Sequence, residues 1–267
     1  MIHPLSGTPV SGFSVHPSTV AGIGAYAALY IWRCRRERRS PSRGQIAALI
    51  AGLSTLFLSL NGPLHDLSDV YLFSAHMVQH LLLTLCVAPL LVGSTPGWMI
   101  RPALAWPGVG PIARWITRPM RCFLIFNVTI AAWHLPPLYN LAMANHPVHI
   151  VEHLSFLATA VLMWWPFLSP LPELPRLAYP GQMLYCFLMS IPMSIVAIYI
   201  AMADHVLYPA YEAAPRIWGL MPPEDQMIGG LIMWIPGGLF FYAVMTVVFF
   251  KWSARDADTT EAAQVSV

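Results

Sequence analysis

The chain has 267 residues, 57% of them apolar and only 10% charged, with a mean hydropathy of +0.60 and a net charge of +2. Those values exclude an ordinary soluble domain and indicate an all-α, polytopic membrane protein. The arginines follow topology rather than gathering for nucleic acid, and no basic stretch precedes the first apolar run, so no cleavable signal peptide is expected.

About 20 residues cross a ~30 Å hydrocarbon core, and seven stretches approach that length in chain order: 18–34, 45–61, 72–94, 121–140, 148–168, 181–203 and 226–250. Prolines 89, 136, 166, 192 and 236 interrupt some of them, which neighbouring helices tolerate by satisfying the freed backbone groups. Polar, proline-rich connections join the stretches without a linker, so residues 1–267 read as one membrane domain.

Basic residues give a direction. With the N-terminus outside, Arg33, Arg35, Arg36, Arg38, Arg39, Arg43, Arg101, Arg114, Arg118, Arg121, Arg176, Lys251 and Arg255 all fall inside, and only Arg216 falls outside. The sequence therefore predicts seven helices, N-out and C-in. Arginines 33–39 then meet anionic lipid head groups, and Trp32, Trp164, Trp165 and Trp252 are expected as interfacial anchors.

This topology sorts the histidines. His76 and His80 lie in the first turns of the third helix, His134 near the end of the fourth, and His149 and His153 at the start of the fifth. At ~1.5 Å per residue all five lie within roughly 10 Å of the outer boundary. His65 and His205 fall in outer connections, and His3 and His16 in the external arm. Ionisable side chains inside a membrane are costly and mark sites. Residues at i and i+4 share a helix face, so each pair can offer two imidazoles to one ion. The five form the expected metal site.

Met77, Glu152, Asp204, His205, Glu224 and Asp225 form a second tier on the same side. Imidazole with thioether suits copper, as Cu(I) rather than Cu(II), while zinc remains compatible with the ligand types. Carboxylates could orient imidazoles, although Glu224 and Asp225 also suit the N-terminal dipole of their own helix, and Met77 also suits core packing. Cys34, Cys86, Cys122 and Cys186 lie away from the histidines in no C-x-x-C pattern, so no disulfide is expected.

Four motifs, SAHMVQHLLL (74–83), WHLPPLYNLA (133–142), HPVHIVEHLSF (146–156) and PPEDQMIGGLIMWIPGG (222–238), resemble the integral-membrane CtaG family of cytochrome c oxidase assembly factors, which is distinct from the single-helix copper chaperone of the same name. The matching positions are His76, Gln79, His80, His134, His149, Glu152, His153, Glu224, Asp225 and Gln226. The resemblance implies a seven-helix protein of the bacterial plasma membrane, not an enzyme, that handles copper for a haem-copper oxidase. Its implied partners are oxidase subunits, with a periplasmic copper chaperone as a candidate donor.

A scaffold without metal, whose histidines only hydrogen-bond, is one alternative, and two rival ligand readings stand beside it. Bis-histidine haem ligation across facing helices is one. The other is an intramembrane zinc protease, because His149-Ile-Val-Glu152-His153 is literally H-x-x-E-H. Against the second, Glu152 directly precedes His153 and is turned about 100° from it around the helix.

Overall fold

The computed structural model describes residues 13–265, with side chains to residue 257, so His3 and most of the arm lie outside the described residues. The described residues are helical and contain no strand. In order they form α1 (Pro17–Glu37), α2 (Arg43–Ser59), α3 (Gly62–Val70), α4 (Phe73–Ser94), α5 (Gly97–Leu104), α6 (Val109–Ile116), α7 (Pro119–Trp133), α8 (Pro136–Ala144), α9 (His146–Leu168), α10 (Tyr179–Ala201), α11 (Pro209–Glu212) and α12 (Pro222–Val265).

Four of these helices, α4, α9, α10 and α12, are long and apolar enough to cross a membrane. Counting the bent pairs α2–α3 (42°) and α7–α8 (70°) as single spans raises the number to six. The first predicted stretch forms α1, 21 residues long but not among those six. Membrane-capable helices thus coincide with six of the seven predicted stretches, while the count of seven and the direction of crossing rest on the sequence alone.

The bends have local causes. Gly62 takes φ +67, a left-handed conformation that glycine adopts without a Cβ penalty, and turns the chain from α2 into α3. Pro136 has no N–H and ends α7 at Trp133, so residues 121–140 form two helices rather than one. The carbonyl of His134 at this break accepts a hydrogen bond from Tyr208 Oη (2.9 Å).

Helix α4 is the centre of the bundle. Of its apolar stretch 61% is buried, against 28% to 44% for the other three long helices. It packs on α2, α9 and α12. Gly229 on α12 lies against the Phe73 ring, where a larger side chain would collide. Asp225 caps α4 from the first turn of α12, its Oδ2 accepting from Phe73 N (2.6 Å) and Oδ1 from Ser74 N (3.2 Å). The start of the histidine-bearing helix is thereby fixed to the last one.

One turn below His80, residues Leu82–Val87 widen into a π-helical turn. There Ala88 N–H donates to Leu83 O, five residues back, and Pro89 has no N–H, so Thr84 O has no backbone donor. Trp164 Nε1 donates to it (2.8 Å) from α9. Trp164 is therefore a buried core residue, as is Trp165, and neither is the interfacial anchor that its position suggested. Trp164→Phe keeps the ring volume roughly but orphans Thr84 O. Thermal unfolding in detergent is expected to report a loss of about 1–3 kcal/mol.

Candidate metal centre

Helices α4 and α9 run parallel and side by side, so their N-terminal ends lie at one level; the C-terminal end of α7 joins them there. This brings together His76 and His80 of α4, His149, Glu152 and His153 of α9, and His134 at the end of α7. All six side chains are buried, with Glu152 1% and His76 0% exposed.

Ring centres are 5.4 Å apart for His76 and His149, 5.7 Å for His76 and His153, 5.5 Å for His80 and His153, and 5.8 Å for His80 and His134. Two imidazoles on one tetrahedral ion, with bonds of ~2.0 Å and ring centres about 1.2 Å beyond the nitrogens, have centres roughly 5 Å apart. The spacing suits rings that share an ion. Two three-residue sets have donor atoms within 4.8 Å of one another: His76, His149 and His153, and His76, His80 and Glu152. Tetrahedral donors stand ~3.3 Å apart, so the side chains have little more than an ångström to close.

The polar atoms at the centre lack hydrogen-bond partners in the protein: His76 Nε2, His80 Nδ1 and Nε2, His134 Nε2, His149 Nε2, His153 Nε2 and Glu152 Oε1. Each buried polar atom left unpaired costs about 1–3 kcal/mol. Seven of them together match the whole net stability of a typical domain, about 5–15 kcal/mol. A common cation would offset that cost.

Groups behind the rings settle which nitrogen faces inward. His134 Nδ1 donates to Ile130 O (2.7 Å), and a carbonyl can only accept, so His134 presents a bare Nε2. His76 Nδ1 lies 3.2 Å from Tyr211 Oη. The Tyr211 hydroxyl proton goes to Ser68 O (2.7 Å), which Leu72 N passes over for Leu67 O. Tyr211 Oη therefore accepts from His76 Nδ1, and from Tyr139 Oη (3.0 Å), leaving His76 Nε2 as a lone pair. Asp69 Oδ2 stands 3.7 Å from His149 Nδ1 and 3.4 Å from His65 Nε2, and Gln79 Nε2 donates to His65 Nδ1 (3.0 Å). Outer partners of this kind fix ligand tautomers in metal sites.

The other expected residues are placed as follows. Glu152 belongs to the cluster itself, because its Oε1 is 3.9 Å from His80 Nε2 and its Oε2 is 3.9 Å from His149 Nε2. The helix angle turns it from His153 but towards His149, three residues back. Met77 packs beside Phe73 and Gly229 against α12, so its thioether fills core. Asp204 and His205 are exposed and bond each other (2.8 Å), which holds the Asp204 carboxyl below its usual range, and they stay outside the cluster. Glu224 Oε2 accepts from Met221 N (3.1 Å) at the start of its own helix, whereas Asp225 caps α4. Gln226 Oε1 accepts from Leu207 N (2.7 Å), tying the loop after α10 to α12. All four cysteines are free, and Cys122 and Cys186 are buried.

Sequence reasoning missed Tyr139, Tyr208 and Tyr211. A signal existed, since all three lie in or beside the histidine motifs, where a phenol can bury its ring and still bond. The rings of Phe156 (centre 4.5 Å from that of His80) and Tyr139 (5.4 Å from that of His76) pack against the cluster. Tyr211→Phe removes the acceptor of two buried groups and the donor to a third. Thermal unfolding is expected to show a loss of roughly 1–3 kcal/mol.

The sequence profile of the family described as cytochrome c oxidase caa3 assembly factor (Caa3_CtaG) matches residues 24–255. Uncharacterized proteins of Mycobacterium bovis and Mycobacterium tuberculosis are each 24% identical over 255 residues, covering 89% of this chain and 38% of their own length. One of Mycobacterium leprae is 22% identical over 253 residues, with the same coverage of 89% and 38%. The chain thus spans about two fifths of the length of these curated relatives. No solved structure matches the chain.

Proposed function

The chain belongs to the cytochrome c oxidase caa3 assembly-factor family, and on that premise we propose that it carries copper for the oxidase, holding the ion in the buried histidine cluster. The observation that supports this is the approach of unpaired imidazole nitrogens of α4 and α9 to one another, with His134 at the end of α7 beside them. Lone pairs that face one another without donors call for a cation. Imidazole nitrogen suits copper, and the copper of the assembled oxidase supplies the reason for carrying it.

His76 has one nitrogen to give, because Tyr211 occupies the other. The two donor sets share His76 and so serve one ion at a time, either with His149 and His153 or with His80 and Glu152. A pair of alternative seats that share His76 suits a carrier, since an ion can shift between them by exchanging ligands rather than dissociating. The buried carboxylate lowers the cost of a positive charge in apolar surroundings. With the N-terminus outside, as the basic residues favour, the cluster faces the outer leaflet of the bacterial plasma membrane and passes copper to a membrane-embedded oxidase subunit.

A second reading draws on Glu152, which beside three histidines also suits a zinc hydrolase. Glu152→Gln separates the two: a hydrolase keeps its metal, loses activity and leaves a cleavage product only in the wild type.

Metal analysis of the purified full chain is expected to give about one copper per chain, and His76→Ala/His153→Ala at least tenfold less, with an oxidase lacking copper in cells carrying the variant. Copper retained by the double variant, or zinc bound in preference to copper in the wild type, contradicts the proposal.

A further inference from the structure

A half-open cavity of about 360 Å³ lies beside the histidine cluster, lined by α1, α2, α3, α4 and α9. Its walls are mostly aliphatic, and at one end it is lined by His16, His65, His146, His149 and His153. His149 and His153 belong to the cluster described above. His16 and His146 do not, and His16 precedes the stretch that matches the family, 24–255.

His16 is held in place by the backbone around it. Ser14 Oγ donates to Asp66 Oδ1 (2.5 Å), Gly62 N to Ser14 O (2.8 Å), and His16 N to Asn61 Oδ1 (2.6 Å). These bonds tie the segment before α1 to the corner between α2 and α3. They set the His16 ring edge-on against His65, with centres 4.2 Å apart. His146 opens α9 and is exposed, and its ring centre is 6.5 Å from that of His16. Two imidazoles on opposite sides of one ion, with bonds of ~2.0 Å, have centres about 6 Å apart.

His146 and His149 stand three residues apart on α9, so their side chains are neighbours on one face, about 5–6 Å apart at Cβ. An ion held by His146 therefore has the first ring of the inner cluster within reach. Aliphatic walls offer a bare ion no ligands, which makes the rings that line the cavity its low-cost path.

We propose that His16 and His146 form a separate metal-uptake site, which takes a soft or borderline cation such as Cu(I) at the protein surface and hands it to His149. His65 acts there as a positioning residue, since Gln79 and Asp69 engage its two nitrogens and its ring buttresses His16. This inference rests on the copper-carrier reading of the inner cluster. Uptake is a ligand exchange: one imidazole–metal bond breaks as the next forms, with no change of oxidation state.

The test is the rate at which the full chain in detergent strips Cu(I) from a coloured Cu(I) chelate, with final copper content measured alongside. His16→Ala/His146→Ala is expected to reach the wild-type copper content about tenfold more slowly or worse, because transfer from a ring next door replaces a bimolecular encounter. His146→Gln alone, at an exposed position that does not endanger folding, is expected to slow loading in the same direction. Loading of both variants at the wild-type rate overturns the proposal. So does a reduced final content at an unchanged rate, which would assign the two rings to storage. A wild type that takes up no Cu(I) at all defeats the carrier reading itself, which separates that failure from this one.

Discussion

An imidazole nitrogen without a hydrogen-bond partner is expensive inside an apolar helix bundle, and this fold brings several of them to one place. Much of the surrounding structure keeps them there. Asp225 fixes the start of α4, Trp164 supports the turn below His80, and the break at Pro136 ends α7 where His134 can reach the others. Tyr211 engages the outward nitrogen of His76 and the Ile130 carbonyl that of His134, which leaves their inward nitrogens bare. Tyr139 bonds Tyr211, and Tyr208 bonds the His134 carbonyl. A bundle selected for stability alone would place leucine at these positions. The polar centre is better understood as stability given up for a function that needs bare nitrogens.

The position of the cluster matters as much as its composition. It lies at one end of the most buried helix, beside an apolar cavity, and within a membrane-capable bundle. On the proposed reading, a site at helix-end depth would exchange its ion laterally with a client in the same bilayer. The two donor sets share His76, which on the same reading would give a graded path rather than one deep trap.

Much of this was legible in the residues. The five histidines, their shared level and the membrane class followed from hydrophobic length and i,i+4 spacing, because both depend on helix geometry alone. Other features needed the third dimension. The angle between adjacent residues turned Glu152 away from His153, but its relation to His149 and to a ring on another helix depended on packing. Asp225 looked like a cap for its own helix, and only the approach of α12 to α4 made it a cap for another. Met77 had a ligand's chemistry and a core residue's direction. The tyrosines were passed over because a phenol in an apolar stretch reads equally as packing or as an anchor.

The central claim is that bare imidazole nitrogens from separate helices close on one metal ion. X-ray absorption at the copper edge of the loaded full-length chain tests it most directly. The account predicts three to four nitrogen or oxygen neighbours at ~2.0 Å with the outer-shell pattern of imidazole rings. A spectrum dominated by sulfur at ~2.3 Å, or one without imidazole scattering, would contradict it.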